Sequence, residues 1–467
     1  METAAGNEDF KRSSSRLDEG RRILKLAGPL IVNNLSIAGM QFADAVMAGS
    51  IGARELAAVA VGGSVWFLGF TACLGLMMAI SPIAARHYGA GDEGLIGRYT
   101  RQGLWLSLGL GLLLIALIQL FAAPALAWVG VADEFRSLTV DYARTICWGA
   151  PAICAFLAFR FTTEGIGETR PIMYTSLVAL VANVFLNWVF MFGNLGAPEL
   201  GAVGAAVASA TTMVIIMLVL GGYLYFHPRY QALNIFKRVP PIRMPILSEI
   251  LRLGSPIAVT VTAEAGLFAA VSILIGTRGS ATAAAHQIAI NFASTMFMVP
   301  LAMSAATTVR VGQALGAGRF NAARYSGYTG ILMAGLFMSV SALFLLVFRD
   351  AVVSLYTKDP DVQAIALSML LMAAIFQVAD GIQVGAAGAL RGYKDTRLPM
   401  VINMFSYWVL AFPLSYLAAS VYNSPPSYIW GGFVLGLTVA AILLTLRYRR
   451  VSQVPPDSSS PAATALP

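Results

Sequence analysis

Twelve predominantly apolar stretches follow one another with short polar breaks: 25–49, 56–84, 102–122, 139–160, 171–192, 202–225, 249–277, 281–309, 326–348, 362–390, 398–421 and 427–446. Each holds about 20 residues or more, enough for a helix to cross a ~30 Å hydrocarbon layer. The ten-residue polar/apolar alternation of an outer-membrane barrel is missing, and unbroken runs such as Gly109 to Leu120 favour helices. The pattern predicts an all-α membrane protein with twelve transmembrane helices.

The pattern also repeats. Pro29 and Pro256, Gly52 and Gly279, the turns at 89–91 and 316–318, Gly165 and Gly392, and Thr169-Arg170 and Thr396-Arg397 all pair at one offset (256 − 29 = 227). Each half holds an even number of helices, so both enter the membrane in the same sense. This predicts two six-helix lobes related by a parallel repeat, a pseudo-twofold along the membrane normal, facing each other across a cavity. The expected divisions are a cytoplasmic N-terminal segment (1–24), an N-lobe (25–226), a cytoplasmic linker (227–248), a C-lobe (249–447) and a disordered cytoplasmic tail (448–467).

Composition agrees: 58% of the 467 residues are hydrophobic and only 12% charged, whereas soluble domains carry about a quarter charged. The net charge of +8 is not a nucleic-acid signature, because the basic residues follow the loops. Of the 31 Lys and Arg, 25 fall on the side of the N-terminus and five on the other (Arg54, Arg136, Arg278, Arg349, Lys358); Arg144 is left inside a span. The richer side is read as cytoplasmic, which puts both termini inside the cell. Cys73, Cys147 and Cys154 all lie in spans and are read as packing residues. The polar first twenty residues lack the core of a cleaved secretory signal.

Ionisable residues inside a bilayer are costly and usually mark an ion or substrate path. Asp380 stands eleven residues before Arg391, Lys394 and Arg397, or about 16 Å along a helix. Glu264, twelve residues after Arg252, reaches a similar depth. Their equivalents in the other lobe, Ile37 and Ile153, are apolar. A scaffold role would more naturally be symmetric, so the pair is read as a cation or proton site rather than as structural acids. Asp44 lies in the outer half of the first span and shares a helical face with Asn34 and Gln41. The alternative is an acid snorkelling to the outer headgroups. Asn183 and Asn187, and Gln287 and Asn291, form two amide faces at i, i+4 that suit a polar cavity or simply bond neighbouring helices. Gln377 and Gln383 flank Asp380, and Phe376, one turn away, is read with Gln41 as lining the cavity for organic cations. His286 is read as packed rather than proton-carrying, and Gly381 with Gly385 as a close helix contact.

The stretches FADAVMAG (42–49), GAPELG (196–201), AHQIAINF (285–292) and AAGALRGYKD (386–395) resemble the multidrug and toxic compound extrusion family in its NorM-type branch, from about Leu26 to Leu446. The resemblance implies a bacterial inner-membrane antiporter that exports cationic or zwitterionic organic compounds in exchange for Na⁺ or H⁺. It also implies that Glu264 and Asp380 are C-lobe cation-site acids that would hold Na⁺, Asp44 the N-lobe acid, and Gln287 a drug-contacting amide. Asn183 and Asn187 match polar positions near Asp44. Related proteins often carry a tyrosine where this chain has Phe376, which removes a hydroxyl ligand and keeps a ring face.

No HExxH motif, nucleophile elbow or nucleotide loop is present, so an enzyme is not expected, nor is a cofactor beyond the coupling ion. The expected partners are small organic cations and the lipid bilayer, with no nucleic acid, and the protein is read as a monomer. The alternative is a lipid-linked oligosaccharide flippase of similar architecture. That activity calls for Arg or Lys gathered in the cavity to hold a pyrophosphate, whereas the mid-membrane charges here are acidic.

Overall fold

The computed structural model describes residues 16–237, 241–422 and 424–453. Most of the expected N-terminal segment (1–15) and of the expected tail (454–467) lies outside them. Among the described residues twelve helices are long and apolar enough to cross a membrane: α1 Leu17–Ile51, α2 Ala53–Gly89, α3 Glu93–Val129, α4 Asp133–Gly165, α5 Arg170–Phe192, α6 Gly201–Phe226, α7 Met244–Gly276, α8 Ser280–Gly316, α9 Phe320–Tyr356, α10 Pro360–Gly392, α11 Arg397–Val421 and α12 Pro426–Val451. No strand occurs among the described residues. An even number of crossings returns both ends of the described chain to one side, called here the termini side.

The duplication is visible in the helix limits. Helices α2, α3 and α4 start and end 227 residues before α8, α9 and α10, and Pro29 inside α1 matches Pro256 inside α7. Each lobe has its own apolar core. In the first, Ile80, Tyr142, Cys147, Leu157 and Leu220 are central. In the second they are Phe376, Tyr407, Trp430, Phe433 and Leu437.

The lobes meet at the termini side through small residues, because lipid tails give helices no hydrophobic reason to associate and close packing must supply the attraction. Gly89 and Gly316, equivalent under the repeat, show this. A Cβ on Gly89 would strike the Gln313 carbonyl of α8, and one on Gly316 the Arg86 carbonyl of α2. Buried charge joins the same region. Arg310 in α8 grips Glu19 in α1 through Nε and Nη2 at 2.9 and 2.8 Å, and Ser326 in α9 donates to the same carboxylate. Glu249 in α7 accepts from Tyr99 in α3 and from Lys394 at 2.8 Å.

Farther along α1, Asn34 donates to the Met298 carbonyl of the other lobe at 3.1 Å. Beyond it, Gln41, Phe42 and Val46 on α1 are exposed, as are Gln287, Asn291 and Thr295 on α8. The lobes therefore close at the termini side and present open faces toward the opposite side.

Candidate functional site

The C-lobe site is built on three helices. α10 carries Gln377, Asp380 and Gln383 on one face at spacings of three, all buried. α7 supplies the half-buried Glu264, whose charge acts on Asp380. α11 widens into a π-helical stretch over Phe405–Ala411, a local departure that recurs at functional sites. It buries Ser406 and Tyr407, with Asn403 one turn earlier.

Tyr407 ties the site together. Its hydroxyl accepts from Gln383 Nε2 at 2.9 Å, and both Glu264 and Asp380 lie within electrostatic reach of it. Nearby on α10 and α11, Asp380 Oδ1, Gln383 Oε1, Ser406 Oγ and the Asn403 amide are buried without hydrogen-bond partners, as is Gln377 Nε2, whose Oε1 accepts from Ser341 of α9. Each such atom costs about 1–3 kcal/mol in a folded protein. A carboxylate, amide carbonyls and hydroxyls are also the donors preferred by a hard cation. Among the described residues no three His, Cys, Asp or Glu cluster as a transition-metal site.

No Lys or Arg lies within ion-pair distance of Glu264 or Asp380 among the described residues. Arg391 is the cation that acts on Glu264 from farther off, and its Nη2 donates to Ser304 at 2.7 Å. Arg391 also lies within electrostatic reach of Glu164, its equivalent under the repeat. Glu164 accepts from Ser81 at 2.9 Å.

A second polar group occupies the N-lobe. Asn187 Nδ2 donates to Asp44 Oδ1 at 2.6 Å and lies 3.4 Å from Asn183 Oδ1, while Asn187 Oδ1 is buried and unpartnered. Asp44 is half-buried and bonded into its own lobe. The structure thus brings Glu264 and Asp380 together and keeps Asp44, Asn183 and Asn187 as a separate set.

The remaining residues divide by exposure. Gln287 and Asn291 are exposed and bonded to each other at 3.2 Å, and Gln41 is exposed on α1. Phe376 is 1% exposed, packed against Trp430 and Phe433 inside the core rather than at an open face. His286 is held on both ring nitrogens, by Trp430 Nε1 at 3.1 Å and Ser272 Oγ at 2.8 Å, as a packed residue is. Gly381 and Gly385 lie against Met338, Ala334 and Ile331 of α9, a close helix contact.

Tyr407, Asn403 and Ser406 did not stand out in the sequence. Their only signal was a polar face at spacings of three and four in an otherwise apolar span.

The MatE family model matches residues 29–189 and again 256–417, two segments at the offset of the repeat. A multidrug resistance protein MdtK of Yersinia enterocolitica is 37% identical over 441 residues, covering 94% of this chain and 96% of the relative. A probable multidrug resistance protein NorM of Xanthomonas campestris pv. campestris is 40% identical over 428 residues, 92% and 93% of the two chains. Among solved structures, the eukaryotic MATE transporter AtDTX14 aligns with a TM-score of 0.82 at 21% identity, over 94% and 98% of the chains. An outward-facing multidrug resistance MATE transporter aligns at 0.84 and 22%, over 93% and 97%. Twelve membrane helices in two repeated halves, and a family model that matches once in each half, make this chain a member of the multidrug and toxic compound extrusion family of transporters, in its NorM-type branch.

Proposed function

We propose that this protein is a secondary active antiporter that exports cationic or zwitterionic organic compounds in exchange for Na⁺ or H⁺. The observation that carries the reading is Asp380 Oδ1, a buried carboxylate oxygen without a hydrogen-bond partner, beside a second acid and several unpartnered amide and hydroxyl groups. Two carboxylates at such depth are neutralised by a travelling cation or a captured proton. Occupancy then changes the balance between a form open opposite the termini and one open at the termini side. Organic cation and coupling ion must favour different forms for exchange to be coupled.

The site divides the work among its residues. Asp380 and Glu264 hold the ion, Gln383 fixes the Tyr407 hydroxyl within electrostatic reach of both, and Asp44 with Asn187 forms a second acidic point in the other lobe. Gln41, Gln287 and Asn291 are placed to meet the exported compound on the open faces. The 25-to-5 distribution of basic residues supports a cytoplasmic termini side, and the bacterial relatives support the inner membrane. The flippase reading needs a basic cavity, whereas the ionisable groups of this site are Asp380 and Glu264, and Arg391 donates to Ser304.

The test is transport of a fluorescent organic cation into liposomes containing the purified protein, with sodium and pH gradients imposed separately. One gradient drives uptake, and Asp380→Asn abolishes the response while the protein still purifies folded. Undiminished ion-driven transport by Asp380→Asn overturns the coupling role.

A further inference from the structure

Arg144 has no part in the exchange described above. It lies in α4, eleven residues from the helix start at Asp133 on the side opposite the termini. The 33 residues of α4 span about 50 Å, so roughly 10 Å overhangs each face of a ~30 Å hydrocarbon layer. Arg144, about 16 Å from the tip, therefore sits just beneath the boundary. Its Nη2 donates to the Gln119 carbonyl at 3.1 Å, its Nε is buried without a hydrogen-bond partner, and among the described residues no carboxylate reaches ion-pair distance.

Beside it is a hollow of about 450 Å³ between Ala123 of α3 and a face of α4 that carries Asp133, Arg136, Ser137, Asp141 and Arg144. At the rim Arg136 is already engaged, with Asp133 at 2.6 Å and the Val131 carbonyl at 2.9 and 2.6 Å. Asp141 is exposed, and Trp128, 89% exposed, stands at the nearby end of α3, as interfacial tryptophans do. The other lobe lacks these charges: Asp133, Arg136, Asp141 and Arg144 correspond to Pro360, Gln363, Ser368 and Leu371. The helical scaffold does not require them.

We propose that this hollow binds the headgroup of an ethanolamine phospholipid, its phosphate on Arg144 and its ammonium toward Asp141. An arginine at that depth is costly unless paired, and the lipid phosphate is the anion the bilayer itself brings there. Guanidinium and phosphate match in geometry and charge. The order along α4 also fits, with the cation deeper and the acids nearer water, as a lipid carries its phosphate nearer the acyl chains than its ammonium. Two acids balance two bases, which favours a zwitterionic headgroup over an anionic one. An ethanolamine N–H donates to Asp141, whereas the methyls of choline do not.

Native mass spectrometry of the full-length protein in detergent tests this, with phosphatidylethanolamine, phosphatidylglycerol, phosphatidylcholine and inorganic phosphate titrated separately. One ethanolamine lipid is retained in preference to the other two. Arg144→Gln weakens its binding about tenfold, the loss of one charge-assisted contact, and Asp141→Asn removes the preference for ethanolamine over glycerol. Thermal unfolding in lipid-free detergent checks that Arg144→Gln folds; should it not, the exposed Asp141→Asn decides the matter alone. Unchanged ethanolamine-lipid binding in a folded Arg144→Gln, or an unchanged headgroup preference in Asp141→Asn, overturns the proposal. So does inorganic phosphate that displaces the lipid, which would mark a simple anion site.

Discussion

A buried hydroxyl on α11 stands where the neighbouring helix has only a ring. Phe376 brings no oxygen to Asp380, but the Tyr407 hydroxyl of α11 lies within electrostatic reach of both acids and accepts from Gln383. Its hydroxyl is thus an alternative source of the oxygen that a tyrosine at 376 would bring. Tyr407→Phe is then expected to raise the half-saturating concentration of the coupling ion about fivefold, the equivalent of one hydrogen bond of ~1 kcal/mol, with little change at saturation. Ion-titrated transport in liposomes measures it, and an unaltered half-saturation would remove Tyr407 from the site. His286 shows the opposite case. With Trp430 donating to Nδ1, Nε2 carries the proton and donates to Ser272, whose own hydroxyl donates to the Phe268 carbonyl. The ring is fully used in holding α7, α8 and α12 together.

Between helices, the termini-side closure combines close backbone approach with buried charge. The Glu19–Arg310 pair crosses from α1 to α8, and the Arg310 side chain is only 9% exposed. Removing one partner of such a pair costs about 3–5 kcal/mol, and that cost falls on the closed form. Glu19→Gln is therefore expected to open the termini side, detected as greater thiol labelling of an introduced Gln313→Cys, a position 5% exposed in the closed form. Gly89→Val acts at the same seam by a different route, since the added side chain meets the Gln313 carbonyl. It should open the termini side as Glu19→Gln does, and unchanged labelling in both variants would show that the seam does not control closure.

The complete bundle holds its lobes together on one side and exposes α1 and α8 faces on the other. Its three native cysteines are buried, so introduced thiols report cleanly. A membrane-impermeant maleimide applied opposite the termini should label Gln287→Cys readily and Gln313→Cys hardly at all. Conditions that favour the other form should reverse the order. Equal labelling of both from one side would rule out alternating access between these two lobes.

The apolar periodicity and the 227-residue register were enough for twelve helices in two repeated halves, because a bilayer ties segment length directly to position along the chain. The sequence also located Asn183, Asn187, Gln287 and Asn291 on shared helical faces, since i, i+4 spacing is a local property. Which of those faces turn inward is not local. Phe376 faces the core and Gln287 an open surface, although both lie in apolar spans, because packing against α12 in one case and its absence in the other decided it. Tyr407 joined Gln383 only because a π-helical stretch of α11 turned it toward α10. Glu19 met Arg310 only when the lobes closed, as a contact between residues hundreds of positions apart requires the whole bundle to form first.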